Sequence, residues 1–333
     1  MPEFERRCRS LLSSLGLCQP EDIHTIRRLS GGVASDIAAV SFAEQTVCVK
    51  FALEKLKVQE DWFAPEHRGK AEFAWLQAAG RIVPDAVPML HGWSDADNGF
   101  AMEFLDHPDI RLWKTELLNG CEDTGEATAV ADTLGRIHAA STSDGFDHSP
   151  FDNSADFESL RLEPYLRFTA RQHPDIAATL NALADQLAAS RQVLIHGDVS
   201  PKNILLRNDK PVILDAECAT MGDPCFDVAF ALNHLLLKSF HLPQCRSKLR
   251  QAARRFWAQY APHICWEDAR YLESRTVRLL PALMLARIDG KSPVEYLDDD
   301  RQRQVRQCAL ALIRHPTDTL TQFLESEPMN TRP

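Results

Sequence analysis

The chain has 333 residues, of which 44% are apolar and 25% are charged, values typical of a globular protein with a substantial core. The formal net charge is −10, which argues against a nucleic-acid partner, because nucleic-acid-binding surfaces are basic. The same charge favours either a cationic small-molecule ligand or simply a solubilising acidic surface. Nine cysteines without a C-x-x-C pair favour a reducing cytoplasm over a disulfide framework or a zinc site.

The first segment of the chain has apolar residues at helical spacing. It reads MPEFERRCRSLLSSLGL and predicts a helix from Phe4 to about Leu17. Because it lacks the apolar stretch of a signal peptide, we expect no secretory leader. No apolar run in the sequence approaches the length of a membrane span, so we expect no membrane partner. Nothing in the sequence indicates an oligomeric state.

A glycine turn separates the first two of three predicted strands, which run from Ile26 to Leu29, Asp36 to Phe42 and Thr46 to Phe51. Glycines let backbone amides approach a phosphate without a Cβ in the way. The turn therefore contributes four candidate nucleotide-binding residues, Ser30, Gly31, Gly32 and Ser35. A plain Gly-Gly hairpin turn is the alternative.

The third strand carries a lysine on its polar face. In TVCVKF, Val47, Val49 and Phe51 alternate onto one side and leave Lys50 on the other. A lysine below the glycine turn is well placed to neutralise the phosphates of a nucleotide. A solvated lysine at the edge of the sheet is the alternative.

A helix is predicted after the third strand, through EHRGKAEFAWLQAAG, with Gly80 as its expected end. A phosphate-binding lysine needs an acidic partner, and the helix offers Glu66 and Glu72. We choose Glu72, since a position in the middle of a helix holds such a pair rigidly. In the alternative, Glu72 is a surface carboxylate that contacts Arg68 one turn earlier.

The middle of the chain changes from strand to helix. The runs PMLHGW and FAMEFL flank a DADNG turn and predict a second hairpin. A helix is then predicted from Glu126 to Ala140. Its His138 is expected to be a packed, hydrogen-bonded core histidine rather than a catalyst.

The most informative pattern lies between residues 193 and 228. His196, Asp198 and Asn203 form H-x-D-x-x-x-x-N, followed by the apolar runs NILL and PVIL around a polar turn. These runs predict a hairpin that places Asn203 at the start of one strand and Asp215 at the end of the next. Their oxygens suit Mg²⁺, which is held by one or two carboxylates and the phosphates of a nucleotide. Asp198, on the preceding loop, is free to face a substrate hydroxyl.

This division of roles is that of protein-kinase-like phosphoryl transfer. The alternative is that these polar residues merely cap a hairpin.

The motifs IHGDVSPKNILL (195–206) and ILDAECATMGDPCFDVA (213–229) resemble those of the aminoglycoside phosphotransferase and choline kinase-like family. The resemblance implies an α+β, protein-kinase-like two-lobed fold. A small antiparallel-sheet lobe would span residues 1–105 and bind the nucleotide, and a mainly helical lobe would span residues 106–333. It also implies phosphorylation of a small-molecule hydroxyl (aminoglycoside, amino alcohol, sugar or related metabolite) with ATP and Mg²⁺.

The resemblance assigns roles to further residues. The backbone from Glu103 to Leu105 would meet the adenine, and Asp223 and Asp227 would support the catalytic loop. Only the eleven residues 216–226 separate Asp215 from Asp227. Because so short a segment cannot form the peptide-binding platform of protein kinases, we expect a small-molecule acceptor.

A cluster of charges near the C-terminus provides candidates for acceptor recognition. In ARIDGKSPVEYLDDD, a helix is predicted to end at Gly290 and another to start at Lys291-Ser292-Pro293. Arg287, Asp289 and Lys291 would line the acceptor pocket if the family resemblance extends this far, and they are ordinary solvated charges otherwise.

Two other functions are compatible with parts of the sequence. One is a catalytically inactive, nucleotide-binding regulator with a kinase-like fold, which the filled polar positions of the site disfavour. The other is a metal-dependent phosphatase, which would need more His and Asp ligands than the motifs provide.

Overall fold

The structure is a computed structural model that describes residues 2–29, 35–53, 67–120 and 125–330. Most of the predicted glycine turn, including Ser30, Gly31 and Gly32, lies outside these ranges, as does Glu66. Among the described residues, no helix has both the length and the apolar character needed to cross a bilayer.

The N-terminal part of the molecule is a five-stranded antiparallel sheet covered by one helix on each face. The strands lie in the order β1-β2-β3-β5-β4, so the predicted three-stranded meander and the second hairpin are both present. The elements are α1 (Glu3–Ser14), β1 (Ile23–Arg28), β2 (Ser35–Phe42), β3 (Gln45–Ala52), α2 (Arg68–Ile82), β4 (Leu90–Ser94) and β5 (Gly99–Glu103).

The alternation in β3 separates two hydrophobic clusters. Val47, Val49 and Phe51 pack with α1, whereas Cys48 faces α2 and the main core of the molecule. The side chain of Lys50 shares the face of Cys48, as the period of two predicts. The strand therefore directs its lysine toward the rest of the chain.

The prediction that Gly80 ends α2 is wrong, because the helix continues to Ile82. A Cβ at Gly80 would lie 3.0 Å from Cγ2 of Val87. The glycine therefore serves close packing against the segment that follows the helix, and it does not act as a helix terminator.

The chain after β5 is mainly helical. Its helices are α3 (Trp113–Leu118), α4 (Glu126–Ser141), α5 (Ser154–Phe157), a π-helical segment (Glu158–Arg167), α6 (Phe168–Gln172), α7 (Ala177–Ala189), α8 (Pro224–His241), α9 (Arg246–Tyr260), α10 (Ala269–Asp289), α11 (Asp299–Arg314), α12 (Leu320–Glu325) and α13 (Glu327–Asn330). Short 3₁₀ turns occur in both parts of the described chain, at Pro20–Asp22 and Pro84–Ala86 before β5 and at Ser149–Phe151, Pro201–Asn203, Pro243–Cys245 and Ala261–His263 after it. Every residue from 224 to 240 of α8 is buried, so this helix lies in the core of the molecule.

Two small antiparallel sheets frame the segment with the H-x-D-x-x-x-x-N pattern. Strand β7 (Val193–Ile195) pairs with β10 (Thr220–Gly222), and β8 (Ile204–Arg207) lies between β6 (Ile110–Leu112) and β9 (Lys210–Ile213).

The turn between β8 and β9 is the tight turn expected of a hairpin. Asn208 and Asp209 have φ angles of +51° and +62°, a left-handed conformation that Asn and Asp tolerate better than most residues. Ile204 pairs with Ile213, so the start of β8 and the end of β9 lie side by side. The predicted hairpin is therefore confirmed.

A helix does not start at Lys291-Ser292-Pro293, and that prediction is wrong. Helix α10 ends at Asp289 with Gly290 as its cap, as expected, but the next helix, α11, begins only at Asp299. The carboxylate of Asp298 accepts a hydrogen bond from the backbone N–H of Arg301 at 2.8 Å. This N-cap, rather than the proline, determines where α11 begins.

The loop after β7 requires a glycine. Gly197 has a φ angle of +77°, and a Cβ placed there would lie 2.8 Å from both the Cβ and the carbonyl oxygen of Cys218. The positive φ angle would strain any other residue at this position. The close approach involves the backbone of Cys218, which a side-chain rearrangement cannot move. The glycine between His196 and Asp198 is therefore a condition for the shape of this loop.

We expect Gly197→Ala to lower the free energy of unfolding by about 2 to 3 kcal/mol, since the left-handed backbone alone costs an L-residue about 1 to 2 kcal/mol. Chemical denaturation of the purified variant measures the change. Gly145→Ala is the matched control, because Gly145 has no atom within 4 Å of the added methyl group and should change stability by less than about 1 kcal/mol. Equal unfolding free energies for the two variants would contradict this account.

Candidate active site

Lys50 links three distant parts of the chain. Its side chain is 4% exposed, which excludes the solvated edge lysine considered above. Its Nζ donates to a carboxylate oxygen of Glu72 on α2 at 2.8 Å and to Oδ1 of Asp215, just after β9, at 2.5 Å. The structure thus brings together Lys50, its predicted acidic partner Glu72 and the candidate metal ligand Asp215.

The ammonium of Lys50 is shared by two buried carboxylates. Burial by itself would lower the pKa of Lys50, but Asp215 and Glu72 more than offset it and raise this pKa. Burial raises the pKa of Glu72, and Lys50 opposes that effect only in part. Burial also acts to raise the pKa of Asp215, but Lys50 and Lys202 hold it below its usual range. Because the one ammonium of Lys50 faces the carboxyl groups of Glu72 and Asp215, the electrostatics of the site favour binding of a further cation.

The alternative assignment of Glu72 as a surface carboxylate does not hold, since Glu72 is 1% exposed. Arg68, its proposed partner in that alternative, is fully buried and donates from Nε to Oε2 of Glu217 at 2.9 Å. Glu217 lies two residues beyond Asp215 in the sequence. Its contact with Arg68 ties the segment after β9 to the start of α2.

Asp198 is buried and held by two cations. Its Oδ2 lies 2.9 Å from Nη2 of Arg161 and 3.2 Å from Nζ of Lys202. Burial would raise the pKa of Asp198, but Lys202 and Arg161 outweigh it and hold this pKa well below its usual range. The carboxylate therefore stays ionised at neutral pH. It also lines a cavity of about 180 Å³, where a hydroxyl group can donate to it.

Arg161 and Lys202 are site residues that the sequence analysis missed. Lys202 had a local signal, because it stands four residues after Asp198 inside the motif itself. Arg161 had none, since it comes from the π-helical segment Glu158–Arg167. Its Nε also donates to the carbonyl oxygen of Gly197 at 2.5 Å, so one guanidinium holds both the backbone and the carboxylate of the loop.

Asp227 holds the backbone of the loop that carries Asp198. Its carboxylate accepts hydrogen bonds from the backbone N–H groups of His196 at 2.6 Å and Gly197 at 2.8 Å, and its side chain is fully buried. Asp223 has a different structural position. It accepts from the N–H of Cys225 at 3.0 Å as the N-cap of α8 and pairs with Arg275.

His138 lies in the core, as expected. The side chain is fully buried, and Nδ1 is 2.7 Å from the hydroxyl of Tyr260. Its Nε2 lies 3.4 Å from Asp227. These contacts connect Asp227, which holds the loop that carries Asp198, to α9.

Asn203 and Asp215 lie at adjacent strand ends. The backbone N–H of Leu214 donates to the carbonyl oxygen of Asn203 at 2.8 Å. Nδ2 of Asn203 donates to the carbonyl of Asp198 at 3.1 Å, which leaves Oδ1 as an acceptor for a ligand. Asp215 has a φ angle of +67°, a strained conformation of the kind that clusters at functional sites.

The oxygens of Asn203 and Asp215 suit Mg²⁺ bound together with a nucleotide, and they do not suit a metal coordinated by protein side chains alone. One amide oxygen and one carboxylate are too few for a cage, and the described ranges contain no group of three or more His, Cys, Asp or Glu side chains able to hold a metal. Mg²⁺ is usually bound by one or two carboxylates, waters and the phosphates of a substrate. The residues present are thus compatible with a metal that binds together with a nucleotide.

Of the remaining predicted nucleotide-binding residues, the structure describes Ser35, Glu103 and Leu105. Ser35, the first residue of β2, is buried and pairs with Ala52 at the end of β3. The side chain of Glu103 accepts from Nη1 of Arg207 at 2.7 Å, and Leu105 follows β5 by two residues as a half-buried side chain. The adenine contact of the Glu103 to Leu105 backbone remains a prediction.

The charged cluster near the C-terminus is divided by the structure. Arg287 lines the same cavity as Asp198. Asp289 accepts instead from Nη2 of Arg306 at 2.6 Å and contacts His173, and neither Asp289 nor Lys291 lines that cavity.

Comparison with solved structures defines the class of fold. A choline kinase from Cryptosporidium parvum Iowa II superposes with a TM-score of 0.54 at 14% identity, covering 94% of this chain and 96% of that one. The choline kinase LicA from Streptococcus pneumoniae gives a TM-score of 0.52 at 14% identity, covering 94% of this chain and all of that one. The protein-kinase-like α+β fold, with a small antiparallel sheet and a helical remainder, is therefore confirmed.

The family model of the phosphotransferase enzyme family matches residues 25–263, and the chain belongs to this family. The resemblance stated from the two motifs is thereby confirmed. A methylthioribose kinase from Pectobacterium atrosepticum is 25% identical over 274 residues, 72% of this chain and 66% of the relative. Methylthioribose kinase 2 from Oryza sativa subsp. japonica is 22% identical over 247 residues, 66% of this chain. The matched part spans 66% and 58% of these two relatives.

Removing the carboxylate of Asp227 should strongly destabilise the folded protein. We expect Asp227→Ala to lower the free energy of unfolding by about 3 kcal/mol, since two buried N–H groups lose their acceptor at roughly 1 to 3 kcal/mol each. Asp175→Ala is the control, because Asp175 forms an exposed ion pair with Arg314 that water screens and that should contribute little to stability. Thermal and chemical denaturation measure both. A loss no larger than that of the control would show that Asp227 does not hold the loop.

Proposed function

We propose that this protein is an ATP- and Mg²⁺-dependent phosphotransferase that moves the γ-phosphate to a hydroxyl group of a small molecule. The observation that carries the proposal is the position of Lys50 between Glu72 and Asp215, with the ionised Asp198 at the wall of an adjoining cavity. Membership of the phosphotransferase family supports the reaction class. The similarity to proteins named methylthioribose kinase supports a small acceptor.

The nucleotide would be held by the sheet side of the site. Lys50 would contact the phosphates, Glu72 would keep the ammonium in place, and Ser35 would belong to the turn that covers the phosphates with Ser30, Gly31 and Gly32. The backbone from Glu103 to Leu105 would meet the adenine. On this proposal residues 1–105 form the nucleotide-binding lobe and residues 106–333 the catalytic and acceptor-binding lobe.

The metal would be held by Asn203 and Asp215. When bound, Mg²⁺ supplies positive charge that neutralises the phosphates during transfer. The ion pair between Lys50 and Asp215 supports this assignment, because it places positive charge at the same carboxylate.

Asp198 would accept a hydrogen bond from the acceptor hydroxyl and aim its oxygen at the γ-phosphate. As the new O–P bond forms and the bond to ADP breaks, the proton of the hydroxyl would pass to the Asp198 carboxylate. The lowered pKa of Asp198 makes it a weak base, so orientation should contribute more than proton abstraction. This agrees with a loose transition state, in which positioning and charge neutralisation supply most of the rate.

A small acceptor is also supported by the segment between Asp215 and Asp227. All residues from 216 to 226 are buried, and Thr220–Gly222 within them form β10. A buried segment presents no open platform to a peptide. No described residue favours the inactive regulator.

Asp198→Asn should retain the nucleotide but lose turnover. We expect kcat to fall about 10² to 10⁴-fold, the usual contribution of a positioned base, with nucleotide affinity changed by less than about threefold, or roughly 0.7 kcal/mol. ATP consumption over a panel of hydroxyl compounds and titration with a nucleotide analogue measure the two effects. Asp144→Asn, at an exposed loop residue, is the control. Full turnover by Asp198→Asn would rule out the assigned role.

A further inference from the structure

The cavity beside Asp198 has an unusual set of charges. Its volume is about 180 Å³. The residues that line it are Lys114, Tyr165, Asp198, Pro201, Lys202, Phe230, His234, Lys238, Arg287, Ser292, Pro293, Val294, Glu295 and Tyr296. Four of them are Lys or Arg and two are acidic, so the cations are in excess.

Two of these cations are already paired. Lys114 contacts Glu295, and Lys202 contacts Asp198. Lys238 and Arg287 form no ion pair with any carboxylate in the described ranges. They are therefore the local source of uncompensated positive charge.

Lys238 is 1% exposed. It stands one helical turn after His234 and two turns after Phe230 on α8, so the three side chains form one wall of the cavity. Its Nζ lies 5.0 Å from the centre of the Tyr296 ring. Burial lowers the pKa of Lys238 to about 7. Lys114 and Arg287 add to the effect, and Glu295 opposes it in part. A buried ammonium without a carboxylate is unfavourable for the fold alone.

Further polar groups at this cavity lack partners. Nε of Arg287 and the hydroxyl of Tyr296 are buried and have no hydrogen-bond partner among the described residues. Nη1 of Arg287 donates to Ser292 at 2.9 Å and to Tyr165 at 3.2 Å. Both contacts are with neutral oxygens, which orient the guanidinium without neutralising it. Buried donors without acceptors are rare in native proteins and require an explanation.

We propose that the acceptor carries an anionic group, a carboxylate or a phosphate, which binds to Lys238 and Arg287 while its hydroxyl group meets Asp198. This inference rests on the proposed function, because it names the chemical class of the acceptor. An anion would give the buried donors their acceptors and would hold Lys238 in its charged form. The same two cations would repel an amine at this position, which selects against cationic acceptors.

The inference opposes the expectation of a cationic acceptor, which came from the net charge of −10. Exposed carboxylates farther than about 8 Å from a ligand are largely screened at physiological salt. The groups that line the cavity therefore decide the charge of its ligand, and there the excess positive charge comes from Lys238 and Arg287.

The first test uses acceptors in matched sets on one carbon skeleton. Glycerate and glycerol 3-phosphate are compared with glycerol and 3-amino-1,2-propanediol, and gluconate and glucose 6-phosphate with glucose and glucosamine. Thermal stabilisation of the protein reports binding, and ATP consumption with mass analysis of the product reports transfer. We expect anionic members to be preferred at least tenfold over their neutral and amine partners, and the preferred anion distinguishes a carboxylate from a phosphate site.

The outcomes separate this inference from the proposed function. Transfer to neutral or amine members without preference for their anionic partners would overturn the inference and leave a phosphotransferase. Binding of the anionic members without any transfer would support the anion site and contradict the proposed function. If no anionic member binds or reacts, the inference is overturned.

The second test removes the cation. We expect Lys238→Met to raise KM for the preferred anionic acceptor at least tenfold and to leave KM for ATP unchanged. The same variant should raise the Tm of the ligand-free protein, because it removes an unpaired buried charge; a merely structural lysine would lower it. Lys70→Met is the control, since Lys70 is exposed on α2 and contacts Asp95 at 2.9 Å. An unchanged acceptor KM, or a lowered Tm, would overturn the assignment of Lys238.

Discussion

The structure depends on one buried ammonium that two carboxylates share. Lys50 joins the sheet to α2 through Glu72 and to the end of β9 through Asp215. Removing one partner of such a buried contact typically destabilises a protein by about 3 to 5 kcal/mol, because the other charge remains buried and unpaired. Well-packed apolar side chains would often be as stable, so the charges are explained better by a ligand than by the fold. Two acids around one cation leave negative charge that suits a metal bound with a triphosphate.

A second set of buried contacts shapes the loop that carries Asp198. Asp227 holds its backbone, Arg161 holds both the carbonyl of Gly197 and the carboxylate of Asp198, and the glycine itself allows the loop to pass Cys218. Each contact comes from a different part of the helical region. Asp198 is therefore held on a rigid support, which the proposed function requires if Asp198 positions the acceptor hydroxyl.

Local patterns in the sequence predicted the parts of the site that local geometry determines. The alternation in β3 placed Lys50 on the inner face, and two apolar runs around Asn208-Asp209 placed Asn203 beside Asp215. The choice of Glu72 over Glu66 followed from its position in the middle of a helix. These inferences succeeded because strand period, tight turns and helix length are properties of short segments.

Long-range packing determined what the sequence analysis missed. Arg161 reaches Asp198 only because the π-helical segment crosses the loop, and no spacing rule connects the two. The end of α2 was misplaced because Gly80 serves contact with Val87, which sequence position does not reveal. The charge of the cavity beside Asp198 likewise differs from the charge of the whole chain, since Lys238 and Arg287 come from α8 and α10 and meet only in the folded protein.

The central claim is that Lys50 and Asp215 meet at the phosphates of one nucleotide, and calorimetric titration with ATP in the presence and absence of Mg²⁺ tests it most directly. The account predicts that Mg²⁺ strengthens ATP binding to the unaltered protein, that Lys50→Met weakens Mg-ATP binding at least tenfold, or about 1.4 kcal/mol, and that Asp215→Asn abolishes the effect of Mg²⁺. Lys70→Met should bind as the unaltered protein does. Equal affinity of the unaltered protein and Lys50→Met for Mg-ATP would contradict the account.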